Sequence, residues 1–266
     1  MKDMVVRGLS GVLYVGAVWA SLWYGPTSAY FLFLFFLAVG LYEMQGILGD
    51  QPRSWWLIAV PALWYASSVA EQYGWSDARL YYPIVLFVWF GSLLFRKSKT
   101  ITEDLTRIGA LFLYPTLSFY LLPQVLAGPD DWKPFLVLGA FLMIWTNDTF
   151  AYMTGRFFGK RPLAPNISPN KTIEGLLGGV LFLMLLAYNL HLIFPQHTQA
   201  FWIGFGLLIG ATSNIGDLFE SWLKRRRGVK DSGAIMPGHG GVLDRLDSFI
   251  FSIPFIYVYC RLATGL

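Results

Sequence analysis

The sequence predicts an all-α, polytopic integral membrane protein with about nine transmembrane helices. Of its 266 residues, 55% are hydrophobic and only 14% are charged, whereas a soluble domain carries about 25% charged residues. Apolar runs of about 20 residues, long enough to cross a bilayer as a helix, recur along the chain. We therefore expect one continuous membrane domain. Residues 1–130 hold five scaffold spans, and residues 131–266 hold the remaining spans with a pocket at the cytoplasmic face.

The candidate spans follow one another with short polar connections. The third contains Pro61 and is the weakest, so an interfacial or re-entrant segment is its alternative. The first resembles a signal peptide in length, but its charged region is weak and a second span follows at once, so we expect it to be retained. The nine spans lie at about residues 8–24, 28–48, 55–71, 79–95, 107–127, 133–153, 174–194, 199–219 and 245–263.

Lysine and arginine residues predict the orientation. With a cytoplasmic N-terminus, all 20 of them except Arg79, Lys133 and Arg261 fall in cytoplasmic segments, as the positive-inside rule requires. We expect the cytoplasmic (inner) membrane of a bacterium. The net charge of +4 then reflects topology, and no nucleic-acid partner is expected. Two predicted spans separate the polar intervals 154–173 and 220–244, so both intervals fall at one cytoplasmic surface, where cations attract anionic lipid headgroups.

Residues 221–247, SWLKRRRGVKDSGAIMPGHGGVLDRLD, form the longest polar interval. A basic cluster leads into a Pro-Gly-His-Gly-Gly turn, and two carboxylates, Asp244 and Asp247, follow three residues apart. Glycine lets backbone amides approach an anion closely, although the same glycines are typical of ordinary turns. Cations, accessible backbone amides at the glycines and paired carboxylates together favour a site that binds phosphates and a metal.

Four aspartates stand at the cytoplasmic ends of predicted spans, where an ionisable side chain costs about 2.5–3.5 kcal/mol and usually marks function. They are Asp148, Asp217, Asp244 and Asp247. The spacing of Asn214, Asp217, Ser221 and Lys224 predicts one polar helix face. A shared pocket is the favoured interpretation. Separate ion pairs, such as Asp148 with Arg156 or Asp244 with Arg225, are the alternative.

Carboxylates without cysteine partners favour a hard cation. Mg²⁺ typically takes one or two carboxylates, with waters and substrate phosphates completing its shell, whereas zinc would need histidine or cysteine, and only His239 is available on this side. In the other polar interval, Ser168, Lys171 and Thr172 precede Glu174. That arrangement fits a helix cap or a phosphate site at a helix N-terminus.

The interval 221–247 closely resembles the signature of the phosphatidate cytidylyltransferases, also called CDP-diacylglycerol synthases. The resemblance continues through residues 147–160 and 168–175, and covers roughly 145–250. Asn170 departs from the family pattern, which has a basic residue there, and Met236 stands where another apolar residue is usual. The matching positions are Ser221, Lys224, Arg225, Lys230, Asp231, Gly233, Pro237, His239, Gly240, Gly241, Asp244, Arg245 and Asp247.

The resemblance implies that CTP and phosphatidic acid react to give CDP-diacylglycerol and pyrophosphate in phospholipid biosynthesis, with Mg²⁺ and room for a second cation. A phosphate monoester is already largely ionised at neutral pH. Catalysis would therefore rest on positioning and charge neutralisation, without a protein nucleophile. Partners are CTP, phosphatidic acid and membrane lipids, and the oligomeric state is open, with a homodimer among the options.

The roles that the resemblance implies fall into three groups. The metal ligands are Asp217 and Asp244, with Asp148 and Asp247 as further ligands or as residues that support the ligands. The catalytic set is Asp217, Lys224, Arg225, Lys230, Asp231, His239, Asp244 and Asp247. The substrate-binding set is Ser168, Lys171, Thr172, Asn214, Ser221, Gly240, Gly241 and Arg245. Another CTP-using membrane enzyme, such as a polyprenol kinase or an archaeal-lipid cytidylyltransferase, and a cation-coupled transporter are the alternatives.

Overall fold

The computed structural model describes residues 2–49, 55–70, 109–126, 132–238 and 240–264. These residues form a bundle of long helices with one small hairpin. In chain order the elements are α1 (Lys2–Tyr24), α2 (Pro26–Leu48), α3 (Trp56–Ala70), a π-helical turn (Phe112–Thr116) leading into α4 (Leu117–Leu126), α5 (Pro134–Phe158), β1 (Pro162–Ala164), β2 (Ser168–Thr172), α6 (Ile173–Asn189), a 3₁₀ turn (Leu190–Leu192), α7 (Gln199–Arg227) and α8 (Leu243–Thr264).

The helices agree with a membrane protein. Five helical segments in the described part are long and apolar enough to cross a bilayer: Pro26–Leu48, Gly109–Leu126, Pro134–Phe158, Ile173–Leu192 and Leu243–Thr264. The prediction of a helical membrane protein is thus confirmed. The fourth candidate span, 79–95, lies outside the described residues, and each of the other eight overlaps a helix. The count of nine and the side of the N-terminus stay predictions.

Helices α5 and α7 extend beyond the predicted ends at 153 and 219, to Phe158 and Arg227. Both have basic side chains in the last turn, where cations stabilise the negative end of the helix dipole. At Gly228 the backbone takes the left-handed conformation (φ 74°) and its N–H bonds to the carbonyl of Arg225, which ends α7. The first part of the polar interval 221–247 is therefore helical, as the predicted polar face through Lys224 requires.

The hairpin is a departure from the all-α prediction. Strands β1 and β2 are antiparallel, with Pro162 opposite Thr172 and Ala164 opposite Ser168. The carboxylate of Glu174 accepts hydrogen bonds from the backbone N–H groups of Lys160 (3.0 Å) and Arg161 (3.1 Å), which closes the base of the hairpin. Thr172 caps α6 by accepting the N–H of Gly175 at 3.0 Å, so the predicted helix cap is present.

Small residues bring the C-terminal helices together, as is common in membrane bundles. A Cβ atom at Gly179 would lie 2.7 Å from the carbonyl oxygen of Asn147, so α6 packs closely on α5. A Cβ atom at Gly216 would lie 2.6 Å from the Cβ of Phe251 and 2.9 Å from the carbonyl oxygen of Asp247, so α7 packs equally closely on α8. The second contact sets the distance between two helices that carry aspartates, and the first holds α6 against the helix that carries Asp148.

The N-terminal helices join the same bundle. Phe33 of α2 stacks on Phe249 of α8, with ring centroids 6.1 Å apart. Helix α1 lies over the polar end of α8, because the hydroxyl of Tyr14 donates to the carbonyl of Arg245 at 3.3 Å. The hydroxyl of Ser10 donates to the carbonyl of Pro237 at 2.9 Å. Residues from both predicted halves of the chain therefore meet around one polar region.

Candidate active site

A cavity of about 660 Å³ opens where α1, α5, the hairpin, α6, α7 and α8 meet. Its polar wall contains eight of the predicted site residues: Asp148, Lys171, Thr172, Asn214, Asp217, Asp244, Arg245 and Asp247. All four predicted metal ligands therefore line the cavity. Its apolar wall comes from α1 and α5 and includes Tyr14, Val15, Ile144 and Trp145.

Asp217 occupies the polar face of α7 that the spacing predicts. Its Oδ2 atom forms a salt bridge with Nζ of Lys171 at 2.6 Å, and the hydroxyl of Ser221 donates to its Oδ1 at 3.3 Å. Asn214, one turn earlier, donates to the carbonyl of Gly210 within α7. Lys171 reaches Asp217 because it stands near the end of β2, two residues before α6 begins. The hairpin thus delivers a cation to the cavity.

Asp244 is the most heavily engaged of the four aspartates. Its Oδ1 accepts from Nζ of Lys224 at 2.5 Å, and its Oδ2 accepts from the backbone N–H groups of Ser232 (2.9 Å) and Gly241 (2.8 Å). Lys224 also pairs with Oε2 of Glu220 at 3.1 Å. The side chain of Lys224 is only 10% exposed, so its ammonium group lies behind the cavity wall, between two carboxylates.

The remaining aspartates concentrate negative charge at one end of the cavity. Asp148 is repelled by Asp217, and Asp247 is repelled by both of them. Asp148 is exposed to the cavity, where Asn147 donates to its Oδ1 at 3.4 Å. Asp247 accepts from the backbone N–H of Ser248 at 2.6 Å. Like charges held together in this way favour the binding of a cation between them.

The carboxylates of this wall are better suited to hold a hydrated cation than to surround a cation completely with protein ligands. No group of three or more His, Cys, Asp or Glu side chains in the described ranges has the arrangement of a metal site. Mg²⁺ needs no such group, because it keeps several waters and binds through one or two carboxylates and substrate phosphates. A cavity of about 660 Å³ leaves room for those waters and phosphates.

Several predicted residues stand away from this cavity. Arg225, Lys230 and Asp231 are exposed beyond its rim, and Nη1 of Arg225 donates to the carbonyl of Val229 at 2.9 Å. Ser168 begins β2 without lining the cavity. The placement of these four residues does not support the catalytic role predicted for Arg225, Lys230 and Asp231 or the substrate-binding role predicted for Ser168, and these roles stay predictions. His239 lies outside the described residues.

The glycines of the predicted turn serve the loop itself. Gly240 has φ 81°, which favours glycine, and its carbonyl accepts the N–H of Met236 at 2.9 Å. The N–H of Gly241, expected to cradle a phosphate, donates to Asp244. The alternative of separate ion pairs also differs from the structure: Asp244 pairs with Lys224 and not with Arg225, and Arg156 donates to the hydroxyl of Tyr152 at 3.4 Å.

Four residues outside the predicted site sets shape this region. Tyr14 and Arg156 line the cavity, and Glu220 is fully buried beside Lys224. The fourth is Glu43 of α2, which is buried against the loop between α7 and α8. A signal for Glu43 was present, because an acidic residue within an apolar span indicates function. Tyr14 carried no signal, since only the fold brings α1 to the cavity.

These features define a helical membrane protein with a polar cavity that has carboxylates, a lysine and an arginine on its wall. The chain belongs to the cytidylyltransferase family, whose model matches residues 5–263. Relatives named phosphatidate cytidylyltransferase include a protein from Staphylococcus aureus (strain COL), 44% identical over 153 residues, or 57% of this chain and 54% of the relative. One from Staphylococcus epidermidis (strain ATCC 12228 / FDA PCI 1200) is 46% identical over 123 residues, or 46% of this chain and 47% of the relative. The matches thus span about half the length of these relatives.

Proposed function

We propose that this protein transfers the cytidylyl group of CTP to phosphatidic acid, forming CDP-diacylglycerol and pyrophosphate. The observation that carries the proposal is the convergence of four aspartates, Lys171 and Arg245 on one cavity with an apolar wall. The family and the names of the relatives support the same reaction. A phosphate-bearing lipid needs both a polar and an apolar surface, and this cavity has both.

The reaction joins two anions. An oxygen of the lipid phosphate attacks the α-phosphorus of CTP, a new P–O bond forms, and the bond from the α-phosphorus to the bridging oxygen breaks as pyrophosphate leaves. The protein's main tasks are to hold the two phosphates in line and to offset their charge. Lys171 and Arg245 line the cavity and carry the positive charge for this task, together with Arg156 at the end of α5.

The proposed cation site is the acidic end of the cavity. Asp148, Asp217 and Asp247 would hold Mg²⁺, and Asp244 would support them from the first turn of α8. When bound there, Mg²⁺ supplies charge neutralisation for the triphosphate and its leaving group. A second cation fits the same chemistry, since the three aspartates carry more negative charge than one lysine balances.

The apolar wall is the proposed place for the lipid. Val15 of α1 and Ile144 and Trp145 of α5 line the cavity beside the aspartates. Acyl chains lying against them would leave the phosphate facing Arg245. In the predicted topology this cavity faces the cytoplasm, where CTP is found, and the protein lies in the bacterial inner membrane. A homodimer is compatible with this arrangement, which needs residues from one chain only.

Turnover by the purified protein in detergent tests the proposal. Phosphatidic acid, α-labelled CTP and Mg²⁺ should give labelled CDP-diacylglycerol and an equal amount of pyrophosphate. Chelation of the metal by EDTA should abolish the reaction, and added Mg²⁺ should restore it. Folded, monodisperse protein that forms no CDP-lipid would overturn the proposal. A lipid phosphate formed together with CDP would instead indicate a CTP-dependent lipid kinase.

A further inference from the structure

Glu43 is a buried carboxylate that the proposed mechanism leaves without a role. It lies near the end of α2 and is 1% exposed. Its Oε1 accepts the backbone N–H of Val242 at 3.1 Å, and its Oε2 accepts the N–H of Leu243 at 2.8 Å and the hydroxyl of Ser232 at 3.1 Å. These partners lie some 200 positions further along the chain: Ser232 in the loop after α7, and Val242 and Leu243 at the start of α8.

The loop between α7 and α8 is built around this side chain. A Cβ atom at Gly233 would lie 2.9 Å from Cδ and 3.1 Å from Cγ of Glu43. A Cβ atom at Gly241 would lie 2.5 Å from its Oε2. Contacts below 3.0 Å require something to shift, so both glycines provide the space in which Glu43 sits. The same two positions belong to the signature that the sequence carries.

Glu43 and Asp244 hold the loop from opposite sides. Ser232 donates its backbone N–H to Asp244 and its hydroxyl to Glu43. Gly241 donates its N–H to Asp244, and the next residue, Val242, donates its N–H to Glu43. Any displacement of Glu43 is therefore transmitted to the residues that fix the Asp244 carboxylate.

The chemistry of the contacts requires a carboxylate at position 43. All three partners are donors, and two of them are backbone N–H groups at the N-terminus of α8, where negative charge is favoured. A glutamine would place its NH₂ group against Val242 or against Leu243, whichever way the amide is turned. One buried N–H group would then face another donor.

We infer that Glu43 is a positioning residue for the reaction: it holds the loop after α7 and the first turn of α8 so that Asp244 and Asp247 keep their places on the cavity wall. This inference rests on the proposed function. Glu43 does not line the cavity itself, so its effect passes through the loop. Replacing Glu43 should therefore lower turnover more than it weakens substrate binding.

The first test compares Glu43→Gln with Met44→Leu, a volume-conserving change at the next buried position of α2. The kcat of E43Q should fall by about 100-fold, the loss typical of a displacement of about 1 Å at a reacting site. The KM for CTP should change by less than about threefold, because the cavity cations remain. M44L should keep wild-type kcat, and rates are expressed per folded protein, measured by size exclusion in detergent.

A coupling experiment separates positioning from general destabilisation. All three atoms nearest to a Cβ at Gly233 belong to Glu43, so Gly233→Ala should lower kcat about tenfold or more in the natural background, within the usual range for contacting residues. In a Glu43→Ala background, where the clash is absent, the same change should have less than about a twofold further effect.

The outcomes distinguish the two hypotheses. If wild-type protein forms no CDP-diacylglycerol, the proposed function fails, whatever the variants do. If wild-type protein is active and E43Q keeps its kcat, the positioning role is wrong. Additive losses for E43A and G233A would also contradict it, because they would show that the two residues act independently.

Discussion

Lys224 offers a sharp test, because the sequence and the structure favour different roles for it. From the resemblance, Lys224 neutralises substrate phosphate. In the structure its ammonium group lies 2.5 Å from Oδ1 of Asp244 and 3.1 Å from Oε2 of Glu220, and its side chain is 10% exposed. Glu220 is 0% exposed. Lys224→Met keeps most of the side-chain volume and removes the charge that these two buried carboxylates share.

The magnitude follows from the partners that are left behind. Removing one member of a buried ion pair costs about 3–5 kcal/mol, since the other charge stays buried without compensation. K224M should therefore lose about 3–5 kcal/mol of stability. A second change, Glu220→Gln, should restore part of this loss because it removes one of the stranded charges. Arg225→Met is the matched control: Arg225 is exposed and donates a hydrogen bond to the carbonyl of Val229, and the change should cost less than about 1 kcal/mol.

Unfolding in detergent measures these differences. The chain has 11 tryptophans, so SDS titration followed by tryptophan fluorescence gives the transition for each variant. The expected order of stability is wild type and R225M, then K224M with E220Q, then K224M alone. A K224M protein that is as stable as the wild type, but unable to turn over CTP, would refute the structural role. It would instead support the predicted role of Lys224 in neutralising substrate phosphate.

Two further predictions concern the cavity and the helix contact behind it. Asp217→Asn should lower turnover by at least about 100-fold, and Lys171→Met should raise the KM for CTP. Because the two side chains form one pair, the loss of kcat/KM in the double variant should be smaller than the product of the two single losses. Gly216→Ala should cost about 1–3 kcal/mol by overpacking α7 against α8 and should lower kcat. The control Gly16→Ala, whose new Cβ meets nothing within 4 Å, should leave both unchanged. Equal behaviour of the two alanine variants would contradict the packing argument.

The long periodic helices and the acidic wall were accessible from the sequence because both depend on local spacing. Asn214 and Asp217 share a face of α7 as the intervals of 3 and 4 residues require. Thr172 caps α6 as its position before an acidic residue suggests. The predicted spans end before α5 and α7 do, since hydrophobicity marks where a membrane ends and not where a helix ends.

The hairpin and the loop contacts could not be predicted in the same way. β1 and β2 are held closed by Glu174, whose hydrogen bonds to Lys160 and Arg161 cross 14 and 13 positions. Glu43 reaches its partners across about 200 positions. Pairings of this length depend on how the bundle packs, and no spacing rule contains them. The predicted phosphate cradle at Gly241 was reasonable chemistry, but Asp244 is the anion that its N–H meets.

The acidic residues of this region divide into two groups once their partners are compared. Glu43 and Asp244 accept backbone N–H groups and a lysine or serine side chain, so their lone pairs are used to hold the loop. Asp148 and Asp217 face side chains that can move, Asn147 and Lys171. An arriving cation with its waters can displace a side chain more readily than it can break two backbone contacts. The prediction places Asp217 and Asp244 first, with Asp148 and Asp247 as further ligands or as residues that support them. The contacts instead favour Asp148 and Asp217 as metal ligands, together with Asp247, which interacts with both of them and with Glu220. Asp244 is then the residue that keeps these ligands in place.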